Sequence, residues 1–130
     1  MKQIEVVAAI IIFDSKILCV KRDHHKYNYL SFKYEFPGGK VEENETNEIA
    51  LIREIDEELN MKINIENNFL TVNHIYPDFS IKMYSFICSC ENSKLKLTEH
   101  VEYKWLTKDR LLELDWAEAD LPIVHKLMEM

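Results

Sequence analysis

The sequence predicts an α+β fold within one domain, residues 1–130. Three observations carry this. Segments rich in β-branched residues lie on both sides of one amphipathic stretch at 46–59, and a second helical pattern closes the chain. The chain is 47% apolar over 130 residues, enough to remove roughly two-thirds of its unfolded surface from water. Gly38 and Gly39 are the only two glycines, and they are adjacent. Collagen-like, linker-like and low-complexity classes are thereby excluded, and the apolar content excludes disorder.

Ile4 to Phe13 reads as a buried strand, Asp14-Ser15 as a turn, and Lys16 to Lys21 as a strand pairing back. Arg22 to Lys33 is polar and aromatic without a period and reads as a loop. Tyr34-Glu35-Phe36 leads into Pro37-Gly38-Gly39, the strongest chain-breaker present. Thr46 to Leu59 is helical. Phe69 to Tyr76 and Ile81 to Ser89 read as strands joined by a turn at Pro77-Asp78, and Asn92-Ser93 as a further turn. Lys94 to Leu97 alternates as a half-exposed strand does, and Glu102 to Leu106 is a short strand. Thr107 is the expected N-cap of a helix over Lys108 to Leu114. A last helix starts near Pro122, whose ring suits a first turn, and buries Ile123, Val124 and Leu127.

Sixteen Lys and Arg stand against 23 Asp and Glu, a formal charge of −7. A protein that grips nucleic acid needs a basic face, so no nucleic-acid partner is expected. An anionic substrate would instead need cations to bridge the contact. Cys19, Cys88 and Cys90 have no framework spacing. Cys88 and Cys90 fall on one side of a strand and read as small buried hydrophobes, a metal or redox pair being the alternative. The apolar run Val6 to Phe13 is too short to span a membrane and lacks signal-peptide flanks, so a cytoplasmic protein without membrane attachment is expected.

At 100° per residue, Ile49, Ile52, Ile55 and Leu59 fall within an arc of about 120° and predict the core-facing stripe of the helix. Glu54, Glu57 and Glu58 share the opposite face at spacings i, i+3 and i+4. Like charges so placed each cost a few tenths of a kcal/mol. No lysine is interleaved between Thr46 and Met61; the one cation, Arg53, lies four residues before Glu57. A solvated acidic face is the ordinary reading of a lone E-x-x-E-E. The context favours a divalent ion, because carboxylates are the hard donors Mg²⁺ takes when it also binds phosphates. The Gly38-Gly39 turn exposes backbone to an ion or phosphate, and Glu45 near the helix start reaches the same region.

Gly39, Glu45 and the run Arg53-Glu54-Ile55-Asp56-Glu57-Glu58-Leu59-Asn60-Met61 resemble the Nudix box, G-x5-E-x7-R-E-U-x-E-E-x-G-U with U apolar. Eight of nine defined positions match, a coincidence of about one in ten million or rarer at ordinary residue frequencies. Asn60 replaces the expected glycine and is the next-best residue for a left-handed helix end. The segments Glu35 to Lys40, Glu99 to Leu106 and Leu114 to Pro122 are similar to the MutT-like branch.

The resemblance implies an α/β/α sandwich with a mixed sheet and the Nudix loop-helix-loop, and Mg²⁺ or Mn²⁺ as cofactor. It implies Glu54, Glu57, Glu58 and the Gly38 carbonyl as metal ligands. Glu54 is the first choice of general base and Glu99 the runner-up. Arg53 would orient Glu57 or Glu45, and Glu45 belongs to the same machinery. Arg22 and Lys40 are phosphate-contact candidates, or else solvated cations, and Gly39 offers backbone to the substrate. Asp120 matches a position that reads the nucleobase edge; capping the last helix is its alternative role. Phe79 and Trp116 are stacking candidates, or else packing. His24, His25, His74, His100 and His125 show no ligand spacing and receive no role. The expected partner is a nucleotide, with the protein a monomer or homodimer. The expected reaction converts nucleoside triphosphates of the 8-oxo-dGTP or CTP kind to monophosphate and pyrophosphate. Alternatives are another nucleoside diphosphate derivative, such as a sugar conjugate or dinucleotide, or a silent nucleotide sensor.

Overall fold

A computed structural model describes residues 1–130. Its elements are β1 (Gln3–Phe13), β2 (Lys16–Lys21), β3 (Tyr34–Glu35), β4 (Gly38–Lys40), α1 (Asn47–Leu59), β5 (Asn64–Ile75), β6 (Ser80–Ser89), β7 (Glu102–Leu106) and α2 (Leu121–Met128). The fold is α+β. All seven strands join one mixed sheet, in which β1 runs parallel to β6 and antiparallel to β2 and β4. Period-two alternation along β1 sends Val7, Ala9 and Ile11 to one face and Ala8 and Ile10 to the other. The first set packs with Leu51, Ile55 and Leu59 of α1. The second packs with Ile123, Val124 and Leu127 of α2, so helices cover both faces. Asp14 and Ser15, with φ of 52° and 63°, make the two-residue turn whose twist suits the β1–β2 hairpin.

Several expectations are corrected. α1 is turned about its axis by roughly 100°: its buried residues are Ala50, Leu51, Ile55, Glu58 and Leu59, while Ile49 and Ile52 are 57% and 47% exposed. Burying Leu51 as well as Ile55 and Leu59 contributes roughly 1.5–3 kcal/mol per side chain. That packing leaves Ile49 and Ile52 outside and carries Glu54 and Glu58 inward. Gly38 and Gly39 are strand residues paired with Ala8 and Val7, not a turn, and neither has positive φ. Lys94 to Leu97 forms no strand. Its backbone caps the end of α1 instead, through Lys96 N–H to the Leu59 carbonyl and Thr98 N–H to the Glu58 carbonyl. Residues 108–113 form a 3₁₀ helix, and the Thr107 side chain makes no capping bond to it. β5 begins at Asn64, before the expected Phe69, because irregularities at Ile65/Asn67 and Asn68/Thr71 break its alternation.

The C-terminal end of α1 is as expected, while Thr46 caps the helix rather than beginning it. Thr46 Oγ1 accepts from Ile49 N–H at 3.1 Å, and Asn60 adopts the left-handed conformation with φ 51°. No helix is long and apolar enough to cross a membrane.

Candidate active site

β4 delivers Gly39 against the middle of α1. The Glu54 carboxylate fills the space a Cβ on Gly39 would need, closer than the 3.0 Å that real side chains tolerate. A Cβ on Gly38 would strike the Val7 carbonyl. Both glycines therefore serve close approach rather than an unusual φ. Arg53 organises the surrounding carboxylates. Its Nε donates to Glu45 Oε2 at 2.6 Å and Nη2 to Glu45 Oε1 at 2.9 Å. Nη1 donates to Glu54 at 2.9 Å and to Glu57 at 3.3 Å, and Nη2 also reaches the Lys40 carbonyl at 3.1 Å. The Arg53 hydrogen bond holds Glu45 below the usual carboxylate range. Burial raises Glu54 against the pull of Arg53. Glu57 remains open to solvent, its side chain 59% exposed.

Glu58 lies deepest. Burial, then the charges of Glu35, Glu54 and Glu99, push its carboxyl up to about 10, and its Oε2 is buried without a partner. Glu99 itself is on the surface. Beside Glu58 stands His100, to which the sequence alone gives no role. Its side chain is 4% exposed, with Nε2 2.9 Å from Glu35 Oε2 and 3.8 Å from Glu58 Oε1. Glu35 in turn accepts from Arg22 Nε at 2.8 Å. Burial alone would raise Glu35, but the hydrogen bonds and charges of His100 and Arg22 outweigh it and hold it ionised. Neither residue falls within the box, and the only available signal was their place in the flanking segments Glu35 to Lys40 and Glu99 to Leu106.

A cavity of about 480 Å³ opens on the other side of β4. Arg22, Gly38, Gly39, Lys40, Phe79 and Asp120 all line it. Thus the glycine strand is the shared wall between the cavity and the carboxylates. Phe79 stacks on Tyr27 at 5.9 Å and packs tilted against Tyr76 at 5.3 Å. Trp116 belongs to the packing: it is buried, bonded through Nε1 to the Leu111 carbonyl, and does not line the cavity. Asp120 Oδ2 accepts from Phe36 N–H at 2.9 Å and makes no cap to α2. Burial, then the charge of Glu35, push its carboxyl up to about 8.

No three carboxylate, histidine or cysteine side chains are gathered closely enough to cage an ion unaided. The donor set nevertheless fits a hard divalent cation that keeps part of its coordination for water and phosphate, since Mg²⁺ commonly takes only one or two carboxylates. The unpartnered Glu58 Oε2 beside Glu54, both raised by burial, is the feature such a charge would satisfy.

The profile of the NUDIX domain matches residues 3–127. An 8-oxo-dGTP diphosphatase of Buchnera aphidicola subsp. Schizaphis graminum is 34% identical over 130 residues, covering 100% of this chain and 97% of that one. A CTP pyrophosphohydrolase of Escherichia coli K12 is 32% identical over 130 residues, covering 100% and 95%. The solved structure of the DNA mismatch repair protein MutT, a Nudix-family hydrolase of methicillin-resistant Staphylococcus aureus 252, superposes with a TM-score of 0.78 at 42% identity, covering 99% and 98%.

Proposed function

The chain belongs to the Nudix family of hydrolases, and from that premise we propose that it cleaves nucleoside triphosphates to monophosphate and pyrophosphate with Mg²⁺ or Mn²⁺. The observation that carries this reading is the shared wall. Glu54 presses on Gly39 from one side, and the cavity holding Asp120 and Phe79, walled by apolar and charged side chains alike, opens on the other. A nucleotide lying along β4 would set its base in the cavity and its phosphates at the carboxylates. The activities of the two relatives, an 8-oxo-dGTP diphosphatase and a CTP pyrophosphohydrolase, support the same choice of substrate class.

In this reading Glu54, Glu57, Glu58 and the Gly38 carbonyl hold the cation. Once bound, it neutralises phosphoryl oxygens and lowers the pKa of a water. Arg53 fixes the rotamers of Glu45, Glu54 and Glu57 by dividing one rigid fork among them. Glu54 takes the proton of the attacking water. It is held between Arg53 and Gly39, whereas Glu99 is exposed and has no such support. Arg22 and Lys40 on the cavity wall meet phosphate oxygens. Asp120, protonated near neutral pH by its burial, presents a donor as well as an acceptor to the base edge. That differs from the acceptor-only role an ionised carboxylate has. Phe79 supplies a stacking face.

Pyrophosphate release from a panel of 8-oxo-dGTP, CTP, dCTP and the common triphosphates with Mg²⁺ tests the proposal. A nucleoside diphosphate sugar and a dinucleotide belong in the same panel. Turnover of a triphosphate is the expected result. Turnover of the sugar or dinucleotide alone would move the substrate class, and none at all would overturn the enzymatic reading.

A further inference from the structure

We propose that Glu35 is a positioning residue that ties the nucleotide cavity to the cation-binding carboxylates, acting through Arg22 at one end and His100 at the other. The inference rests on the function proposed above and goes beyond it, because neither Glu35 nor His100 has a part in that reading.

The geometry is two-ended. Glu35 Oε1 takes Arg22 Nε at 2.8 Å, and Oε2 takes His100 Nε2 at 2.9 Å. Arg22 is a cavity wall residue, as is Glu35 itself, while His100 Nε2 is 3.8 Å from Glu58 Oε1. One carboxylate thus divides its two oxygens between the substrate side and the metal side. With Glu35 ionised, the proton of the His100 contact sits on Nε2, which fixes the ring and turns its other nitrogen, buried and unpartnered, away from Glu35. The ring then forms a wall that limits where the Glu58 carboxylate can sit. Hydrogen-bonded outer partners usually set ligand orientation, and removing one lowers metal affinity about ten- to a hundredfold; His100 approaches Glu58 only to 3.8 Å, so the lower end of that range applies.

A purely structural ion pair is the competing explanation. A buried pair is weak grounds for stability, because apolar replacements of similar volume are often neutral or better. A structural pair also predicts no specific link between Arg22 and substrate on one side and His100 and metal on the other.

Two double-mutant cycles sharing Glu35→Gln separate the explanations. In the metal arm, Mn²⁺ affinity without nucleotide is read from the electron paramagnetic resonance of the free ion, using Glu35→Gln, His100→Ala and the double variant. Each single change should weaken Mn²⁺ binding roughly tenfold, and the double should be no more than about twofold worse than His100→Ala. His100→Gln, whose amide N–H replaces Nε2, should recover most of the loss. In the nucleotide arm, Arg22→Gln and Glu35→Gln should raise KM at saturating Mg²⁺ non-additively. Additive effects in either cycle would overturn the link and leave Glu35 as a charge acting at a distance. Losses of thermal stability without these shifts would do the same. A wild-type protein that neither binds Mn²⁺ nor turns over any nucleotide overturns the functional reading as well. Wild-type activity with additive cycles overturns this inference alone.

Discussion

Glu54 and Gly39 share one volume: the carboxylate of the first occupies the place where any side chain on the second would lie. Gly38, its neighbour, is blocked by something different, the backbone carbonyl of Val7 in the adjacent strand. A side-chain end can swing away, whereas a strand cannot. The two alanine substitutions should therefore separate. Gly39→Ala should leave the melting temperature within a few degrees of wild type while lowering kcat by tenfold or more, because it displaces Glu54. Gly38→Ala should cost about 2 kcal/mol or more in stability, an overpacking penalty. Calorimetry and kinetics on both variants check this, and equal stability losses would remove the distinction.

Glu54→Gln keeps the shape and one acceptor for Arg53 but cannot take a proton. General bases are worth about 10²- to 10⁴-fold, so kcat should fall by that much with folding unchanged. Glu99→Gln serves as the control. A larger loss there than at Glu54 would transfer the role of base to the loop.

In the metal-free protein Glu58 carries a raised pKa of about 10, against an ordinary value of 4.5. Between these values the folded state holds a proton that the unfolded chain releases, so this residue lowers stability as pH rises through that window. A cation held by Glu58 as proposed would displace the same proton, so Mn²⁺ affinity should tighten between pH 6 and 8, by up to about tenfold per unit for one proton released. Glu58→Gln should flatten that dependence, weaken binding, and raise the melting temperature in EDTA at pH 8. An affinity independent of pH in the wild type would show that Glu58 is already ionised.

How much of this was readable in advance depends on whether the signal was local. The box placed Arg53, Glu54, Glu57 and Glu58 together because their spacing on one helix is a property of the chain alone, and Glu45 joins them from just before the helix cap. The left-handed Asn60 followed from local chemistry in the same way, whereas Thr46, read as the first helical residue, is the N-cap. The rotation of α1 did not, since Ile49 and Ile52 are as apolar as the residues that are buried, and only the packing against β1 and β2 chooses between the faces. His100 lies 65 residues from Glu35 and becomes its partner only when β7 and β3 flank β2 on opposite edges. The glycines read as a turn offering backbone to an ion or phosphate, whereas the strand they form makes close approaches to the Val7 carbonyl and the Glu54 carboxylate. Whether a Gly-Gly pair bends or pairs depends on the strand beside it.

Asp120 offers a test of the cavity that needs no substrate. Its carboxyl titrates near 8 in the folded protein and near 3.8 when unfolded. Stability contributed here is present at low pH and lost as pH rises toward 8, where the folded state must ionise a buried group. Asparagine at this position cannot ionise, yet its side-chain oxygen still accepts from Phe36 N–H. The melting temperature of Asp120→Asn, relative to wild type and measured in EDTA, should therefore climb from pH 5 to pH 8. At roughly 3–5 °C per kcal/mol for a chain of this size, the widening should reach several degrees. A gap that stays constant with pH would mean that the carboxyl is ionised throughout. Asp120 would then face a nucleobase as an acceptor alone, and only bases presenting an N–H there would be retained.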